Sequence, residues 1–469
     1  MSTSITLTTF LLLIILSTII AWIQEYVQCQ EESSSHSSLI SLIPSSQKAF
    51  AGNLFNSILP QQSSSSQIDS FLTYNTVLSP FSLFMVLSML TIGSRGDTQH
   101  ELLQALSLDQ SNSLDVTQFS QAMNEIISSY SNTSRELSIA NGLFVEQTFN
   151  ISQDFSNAIV SQFHSEIRKC DFVQNYEKER NLINSWISDK THHLIKDVLQ
   201  PGSIVPETKL LLVNAIYFLG KWKVAFNPEQ TVSGRFRSLS AHTNSEITVQ
   251  FMTKRKTLEK YGENDLYKWL KLPYSNDNFE MLFLFPKENV ELSVENEKEF
   301  IKWISKRLTN KDQHDDLANS NHSENNSISQ QLSLSELFST SSTKVRIVQI
   351  PKFKAEINTL ELSAILKESP FHMETSFNME KANFSGILTP ESLAAGGRLW
   401  IDKIYHKAML KVDESGTEAA AVTVARVNYR MAVPTSAMPE FVLNRPFCFI
   451  LSHIPTQSVL FVGRVNLVS

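Results

Sequence analysis

Near the C-terminus, Glu414 to Met431 reads E-S-G-T-E-A-A-A-V-T-V-A-R-V-N-Y-R-M, and its local signals conflict. In a β-strand the side chains alternate between faces. One face would carry Thr417, Ala419, Ala421, Thr423, Ala425 and Val427, all small or β-branched and none charged. The other would carry Glu418, Ala420, Val422, Val424, Arg426 and Asn428. A face of small residues opposite one that tolerates charge describes a strand able to enter a crowded sheet. Yet Gly416 ahead of it, and Pro434 and Pro439 behind, are loop punctuation. The stretch reads as a loop that is able to become a strand.

Glu414-Ser415-Gly416-Thr417-Glu418-Ala419-Ala420-Ala421 resembles the hinge of a serpin's reactive-centre loop. Phe441 to Phe447 (F-V-L-N-R-P-F) and Leu460 to Arg464 (L-F-V-G-R) resemble the family's C-terminal strands. Upstream, Asn75, Ser79, Pro80 and Ser82 fit its N-x-x-x-S-P-x-S. Asn214, Tyr217, Gly220 and Trp222 fit its N-A-x-Y-F-x-G-x-W, with Leu219 in place of a customary basic residue. The run I-N-S-W-I-S-D-K-T from Ile183 is similar to a family helix lying across the main sheet, and His193 stands where a small Gly is usual. The resemblance covers roughly residues 46–469.

The resemblance implies an α+β fold with three β-sheets, eight or nine helices and an exposed reactive-centre loop within 414–439. It also implies a function without catalysis. A serine protease attacks the loop and is acylated, and the cut loop inserts into the main sheet before hydrolysis finishes. The scissile carbonyl of inhibitory members lies sixteen residues beyond the hinge glutamate, here at Arg430, with Met431 on the leaving side. Arg430 suits the acidic pocket of a trypsin-like protease; a register slipped by one would offer Tyr429, and Arg426 is a weaker candidate. Glu414, Gly416, Thr417, Ala419, Ala420 and Ala421 form the hinge. Ser79, Ser82, Asn214 and His406 resemble the polar cluster where the sheet parts. Trp222, Lys352 and Glu414 resemble the point where insertion starts, with Lys352 and Glu414 as an ion pair. The alternative is a non-inhibitory serpin acting as carrier, chaperone or signalling ligand. Such members tend to carry bulky or charged hinge residues, unlike Thr417 and Ala419 to Ala421.

The ends and interruptions of the chain bear on where it works. Thr9 to Ile23 is almost wholly apolar, short for a membrane span, and preceded by no Lys or Arg. We read residues 1–29 as a secretory signal cut after Cys29, with an uncleaved anchor as the other reading. Residues 30–45 follow as a flexible polar tail. Helical spacing predicts further helices over Phe119 to Tyr130 and Glu179 to Leu199. Sequons at Asn132, Asn150, Asn321, Asn325 and Asn383 suit a secreted glycoprotein. Of the 3 Cys, Cys170 and Cys448 are expected to be free and buried. Residues 309–342 lack periodicity and read as a polar insertion longer than the family's usual connection.

Other chemistries find little support. The net charge of −7 argues against a nucleic-acid partner. His100-Glu101 begins a zincin-like pattern, but position 104 is Gln, and no phosphate-binding glycine loop is present. Arg95-Gly96-Asp97 is read as a structural turn. Lys254-Arg255-Lys256 is read as a solvated face, which leaves glycosaminoglycan binding open. The expectation is a monomer with no cofactor, no metal and no stable membrane association, partnered covalently by a trypsin-like protease.

Overall fold

The structure, a computed structural model, describes residues 39–59, 75–108, 115–131, 136–239, 245–309, 341–356, 359–417 and 438–468. A helix over residues 39–57, α1, comes first, and its Ile43, Phe50, Ala51, Leu54 and Phe55 are buried at helical spacing. This corrects the tail expected over 30–45. Residues 39–45 already belong to α1, because Ile43 extends its apolar stripe; residues 30–38 lie outside the described residues.

Strand β1 (Thr76–Leu78) leads into α2 (Pro80–Gly93). The Ser79 hydroxyl caps α2 by accepting from the Ser82 N–H at 3.3 Å, and Pro80 fills the first turn, where a missing N–H costs nothing. Every residue of α2 is buried, as its apolar composition on all sides requires. After it come α3 (Gly96–Ala105), α4 (Val116–Ser131), β2 (Leu137–Glu146), α5 (Gln153–Ser161), β3 (Glu166–Cys170), α6 (Phe172–Lys190) and β4 (Leu210–Phe218). The chain continues through β5 (Val232–Ser238), β6 (Ser245–Glu263), β7 (Tyr267–Pro273), β8 (Phe279–Pro286) and α7 (Val294–Thr309). The remainder supplies β9 (Ser342–Pro351), β10 (Phe353–Glu356), β11 (Leu360–Glu361), β12 (Lys403–Val412), β13 (Glu440–Val442), β14 (Phe447–His453) and β15 (Ser458–Val465).

Helix α6 begins earlier and ends earlier than Glu179 to Leu199. Asp171 caps its start, accepting from the Gln174 N–H at 2.9 Å, and beyond Lys190 both His192 and His193 adopt the left-handed backbone that ends helices.

Among the described residues the strands form two hydrogen-bonded sheets where three were expected. One has six strands in the order β10-β12-β4-β2-β3, with β11 beside β12. The other has nine, β1-β15-β14-β8-β7-β6-β9-β13, with β5 on β6. The 19-residue β6 joins what would otherwise be two sheets, pairing β5 and β9 along most of its length and β7 through Lys260 to Glu263.

The six-stranded sheet separates two cores. Leu210, Leu212, Ile216 and Phe218 of β4 face the main core together with Ile404, Ala408 and Leu410 of β12. On the opposite face Leu211, Val213, Ala215, Tyr217, Tyr405 and Met409 pack under Ile183 and Ile187 of α6. Such two-sided burial explains why β4 reads as an unbroken apolar run. At the centre of this sheet β12 and β4 run parallel, in register from Lys403↔Leu211 to Met409↔Tyr217.

Candidate functional site

Above Met409 and Tyr217 the ladder between β4 and β12 stops, and the chain leaving β12 turns back into the gap. The turn is closed by the Asp413 N–H on the Gly416 carbonyl at 2.8 Å, while the Asp413 carboxylate takes the Ser415 N–H at 2.8 Å. Gly416 then bridges Lys221 and Thr417 bridges Val412, both antiparallel, and the Thr417 N–H donates to the Gly220 carbonyl at 2.6 Å. Gly416 sits at φ +151°, and a Cβ there would lie 2.0 Å from the Gly220 oxygen. No other residue fits that approach. Thr417 is wholly buried, its hydroxyl 2.7 Å from the Tyr274 hydroxyl.

Tyr274 stacks on Trp222 with ring centroids 4.5 Å apart. The Trp222 indole N–H donates to the Asp413 carbonyl at 3.0 Å, and its backbone N–H to the Ser415 carbonyl at 2.9 Å. Glu414 receives the Lys352 ammonium at 2.6 Å and the Thr231 hydroxyl at 2.7 Å. Burial works to raise the pKa of this carboxyl, but Lys352 and Thr231 outweigh it and hold it below the ordinary value. The turn is therefore gripped at two places: by the Glu414–Lys352 ion pair at its rim, and by Tyr274 and Trp222, stacked within the core, on its buried side.

Lower down, where β4 and β12 still pair, a neutral polar network is sealed in the core. The Ser79 N–H donates to His406 Nε2 at 3.1 Å, which places the ring proton on Nδ1; Nδ1–H in turn meets Asn214 Oδ1 at 2.5 Å. The Ser82 hydroxyl donates to the same Asn214 oxygen at 2.8 Å, and the Ser79 hydroxyl donates to the Leu460 carbonyl at 2.7 Å. Asn214 Nδ2 donates to Asn141 Oδ1. His406, Asn214, Ser79 and Ser82 are all fully buried. Burial pushes the His406 pKa down to about 3, so the ring is neutral. The network ties β12, β4, β2 and α2 together, and β12 cannot leave β4 without breaking the His406–Asn214 bond.

Glu414, Gly416, Thr417, Trp222 and Lys352 thus converge at the top of the sheet, and Ser79, Ser82, Asn214 and His406 converge at its centre. Ala419, Ala420, Ala421, Arg430 and Met431 lie outside the described residues, as do Asn132, Asn321 and Asn325. Asn150 and Asn383 are on exposed surface. Cys170 and Cys448 are free and buried. Tyr274, Thr231 and Asn141 are participants that sequence reasoning missed. Asn141 offers a signal in hindsight, as a polar side chain within the apolar run of β2. Tyr274 and Thr231 carry none. No group of three or more His, Cys, Asp or Glu able to hold a metal occurs among the described residues, and none of their helices is long and apolar enough to cross a membrane.

The chain matches the family described as "Serpin (serine protease inhibitor)" over residues 45–467. Serpin B6 of Pongo abelii is 30% identical over 399 residues, covering 84% of this chain and 93% of the relative. Leukocyte elastase inhibitor A of Mus musculus is 31% identical over 395 residues, covering 84% and 93%. Among solved structures, Arabidopsis AtSerpin1 in its native stressed conformation aligns with a TM-score of 0.70 at 26% identity, covering 91% of this chain and 98% of its own.

Proposed function

The chain belongs to the serpin family, and on that premise we propose that it is a secreted suicide-substrate inhibitor of trypsin-like serine proteases, with Arg430-Met431 as the scissile bond. The observation that carries this reading is the seating of Thr417. The hinge already occupies the first position of a new strand between β4 and β12, bonded to both neighbours.

The two bridges set the register for the rest of that strand. Continued from Lys221↔Gly416 and Val412↔Thr417, the antiparallel pairing sends Ala419, Ala421, Thr423, Ala425 and Val427 to the inner face. Thr423 then falls between Asn214 and His406. Its hydroxyl is placed to take over hydrogen bonds that these two lose when the strands separate, so the buried groups stay satisfied. On the outer face Glu418 falls beside Lys411, a favourable cross-strand pair.

In the proposed reaction the serine of the protease attacks the Arg430 carbonyl carbon. The bond to the Met431 nitrogen breaks, that nitrogen takes a proton, and Arg430 stays on the protease as an ester. The freed loop then replaces one parallel ladder with two antiparallel ones, the more stable pairing per residue. At roughly 0.5–1.5 kcal/mol net per backbone hydrogen bond, about a dozen inserted residues supply on the order of 10 kcal/mol. Arg430 supports a trypsin-like target through charge-assisted pairing with an acidic pocket. The apolar leader and the exposed sequons at Asn150 and Asn383 support secretion.

Mixing the protein with sub-stoichiometric trypsin tests the proposal. The expected result is a boiling-resistant band at the summed mass on a denaturing gel, with a released peptide beginning at Met431. Clean cleavage at Arg430 with no such band would overturn inhibition of trypsin and favour the carrier or ligand reading.

A further inference from the structure

Tyr405 and Met409 of β12 pack under α6, so the alternation of the strand puts Lys403, Lys407 and Lys411 on that same face. The three lysines keep different company. Lys411, at the top, is exposed. Lys407 is held, with its ammonium 3.1 Å from the Lys196 carbonyl and 3.9 Å from the Glu356 carboxylate. Lys403, at the foot of the strand, reaches only the Ser203 carbonyl, at 3.5 Å, and makes no ion pair among the described residues. The adjacent carboxylate, Asp402, falls on the opposite face by the same alternation and already accepts from the Thr208 hydroxyl at 2.7 Å.

The register of the proposed insertion sets what each lysine would meet. Continued from Val412↔Thr417, it puts Glu418 beside Lys411, Val422 beside Lys407 and Arg426 beside Lys403. Continued from Lys221↔Gly416, it gives Arg426 the apolar Leu211 as its neighbour on β4. The filled sheet would thus begin on an attractive pair and end on a repulsive one. Like charges directly opposite on adjacent strands weaken their pairing. We propose that Lys403 sets the depth of insertion: the cut loop is taken up firmly through Ala425 and frays from Arg426 onward. Lys403 is a positioning residue in this scheme, which rests on the insertion proposed above. The five residues from Arg426 to Arg430 would then form a tether of about 17 Å between the last firmly held position and the acylated protease.

The test separates depth from insertion itself. Full-length chain cut at Arg430 by trypsin is purified away from covalent complex, and its new end is confirmed by mass. Its melting temperature is recorded, and it is then exposed to excess trypsin at low and at high NaCl. Release of the tetrapeptide Val427-Asn428-Tyr429-Arg430 is followed by mass spectrometry, relative to cleavage of a synthetic peptide of residues 421–431 under the same conditions. The expected result is a raised melting temperature together with steady tetrapeptide release. That release should be faster at low salt, because screening relieves the repulsion between Lys403 and Arg426. Lys403→Glu should slow it by about 2- to 20-fold, as a like-charge pair becomes an opposite one, and should reverse the salt dependence. A raised melting temperature with the tetrapeptide withheld, or released at one normalised rate at both salts, would overturn this proposal and leave insertion standing. Equal release from a folded Lys403→Glu variant would do the same. No rise in melting temperature would instead overturn insertion, and the depth set by Lys403 with it. The salt series on the natural chain decides the matter even if the variant fails to fold.

Discussion

At the top of the six-stranded sheet, Glu414 meets Lys352, a side chain 39% exposed, whereas at its centre His406 and Asn214 meet with no exposure at all. Water can replace Lys352 as a partner when the upper contact opens. The central groups have only protein partners, and each orphaned one costs about 1–3 kcal/mol. A loop entering from the top therefore starts where exchange is cheap and must next pass a point where exchange needs a substitute. In the register proposed for the inserted loop, that substitute would be Thr423. The difference between the two regions explains how a sheet can admit one residue, Thr417, and still stay shut below it.

The harshest way to break this contrast is Thr417→Arg. The side chain would enter a pocket where Thr417 is fully buried against Tyr274, at a cost of several kcal/mol if the charge is unpaired. Loop cleavage by trypsin should persist while the covalent band disappears; survival of that band would refute the seating of Thr417 as the start of insertion. Next in size is Asn214→Ala. It strands the His406 Nδ1–H and Asn141 Oδ1, for about 2 kcal/mol or more in total, while the Ser82 hydroxyl keeps the Ser79 carbonyl at 3.1 Å. Denaturant unfolding should show the loss, and a change below about 1 kcal/mol would mean that the network relaxes freely.

The pH dependence stems from His406. Its folded pKa, about 3, lies below the ordinary value of 6.5, so between these values the unfolded chain binds the extra proton. The contribution to stability is complete above pH 6.5 and is lost as pH falls toward 3, by up to about 1.4 kcal/mol per unit. His453, held down at about 4 by burial, acts in the same direction. Unfolding curves of His406→Gln should accordingly be flatter across this window than those of the natural chain. An unchanged slope would contradict a buried neutral ring. The smallest effect belongs to Lys352→Met, which removes a half-exposed ion pair worth roughly 0–1 kcal/mol and sensitive to salt. A loss matching that of Asn214→Ala would erase the distinction between the two regions.

Much of this arrangement is legible in the sequence, for physical reasons. The alternation of small residues after Gly416 is a local pattern, and Ser79-Pro80 announces a helix start without any tertiary information. The unbroken apolar run of β4 likewise marks a strand buried on both faces. What stays hidden depends on distant partners. Tyr274 and Thr417 are 143 residues apart, and nothing in Leu272-Pro273-Tyr274 signals that the phenol will receive the hinge. The start of α1 is obscured by the Ser-rich composition around it, although Ile43 belongs to its stripe. The joining of two sheets by β6 depends on pairings at both ends of one long strand, which periodicity does not reveal.

The proposed function requires the six-stranded sheet to take up the segment after Thr417 as a further strand. The most direct measurement is the melting temperature of the purified chain before and after nicking at Arg430-Met431 by catalytic trypsin. Insertion should raise it well above that of the intact protein, because two antiparallel ladders replace one parallel ladder and the inner face from Ala419 to Val427 is buried. An unchanged or lowered melting temperature after complete cleavage would contradict the account.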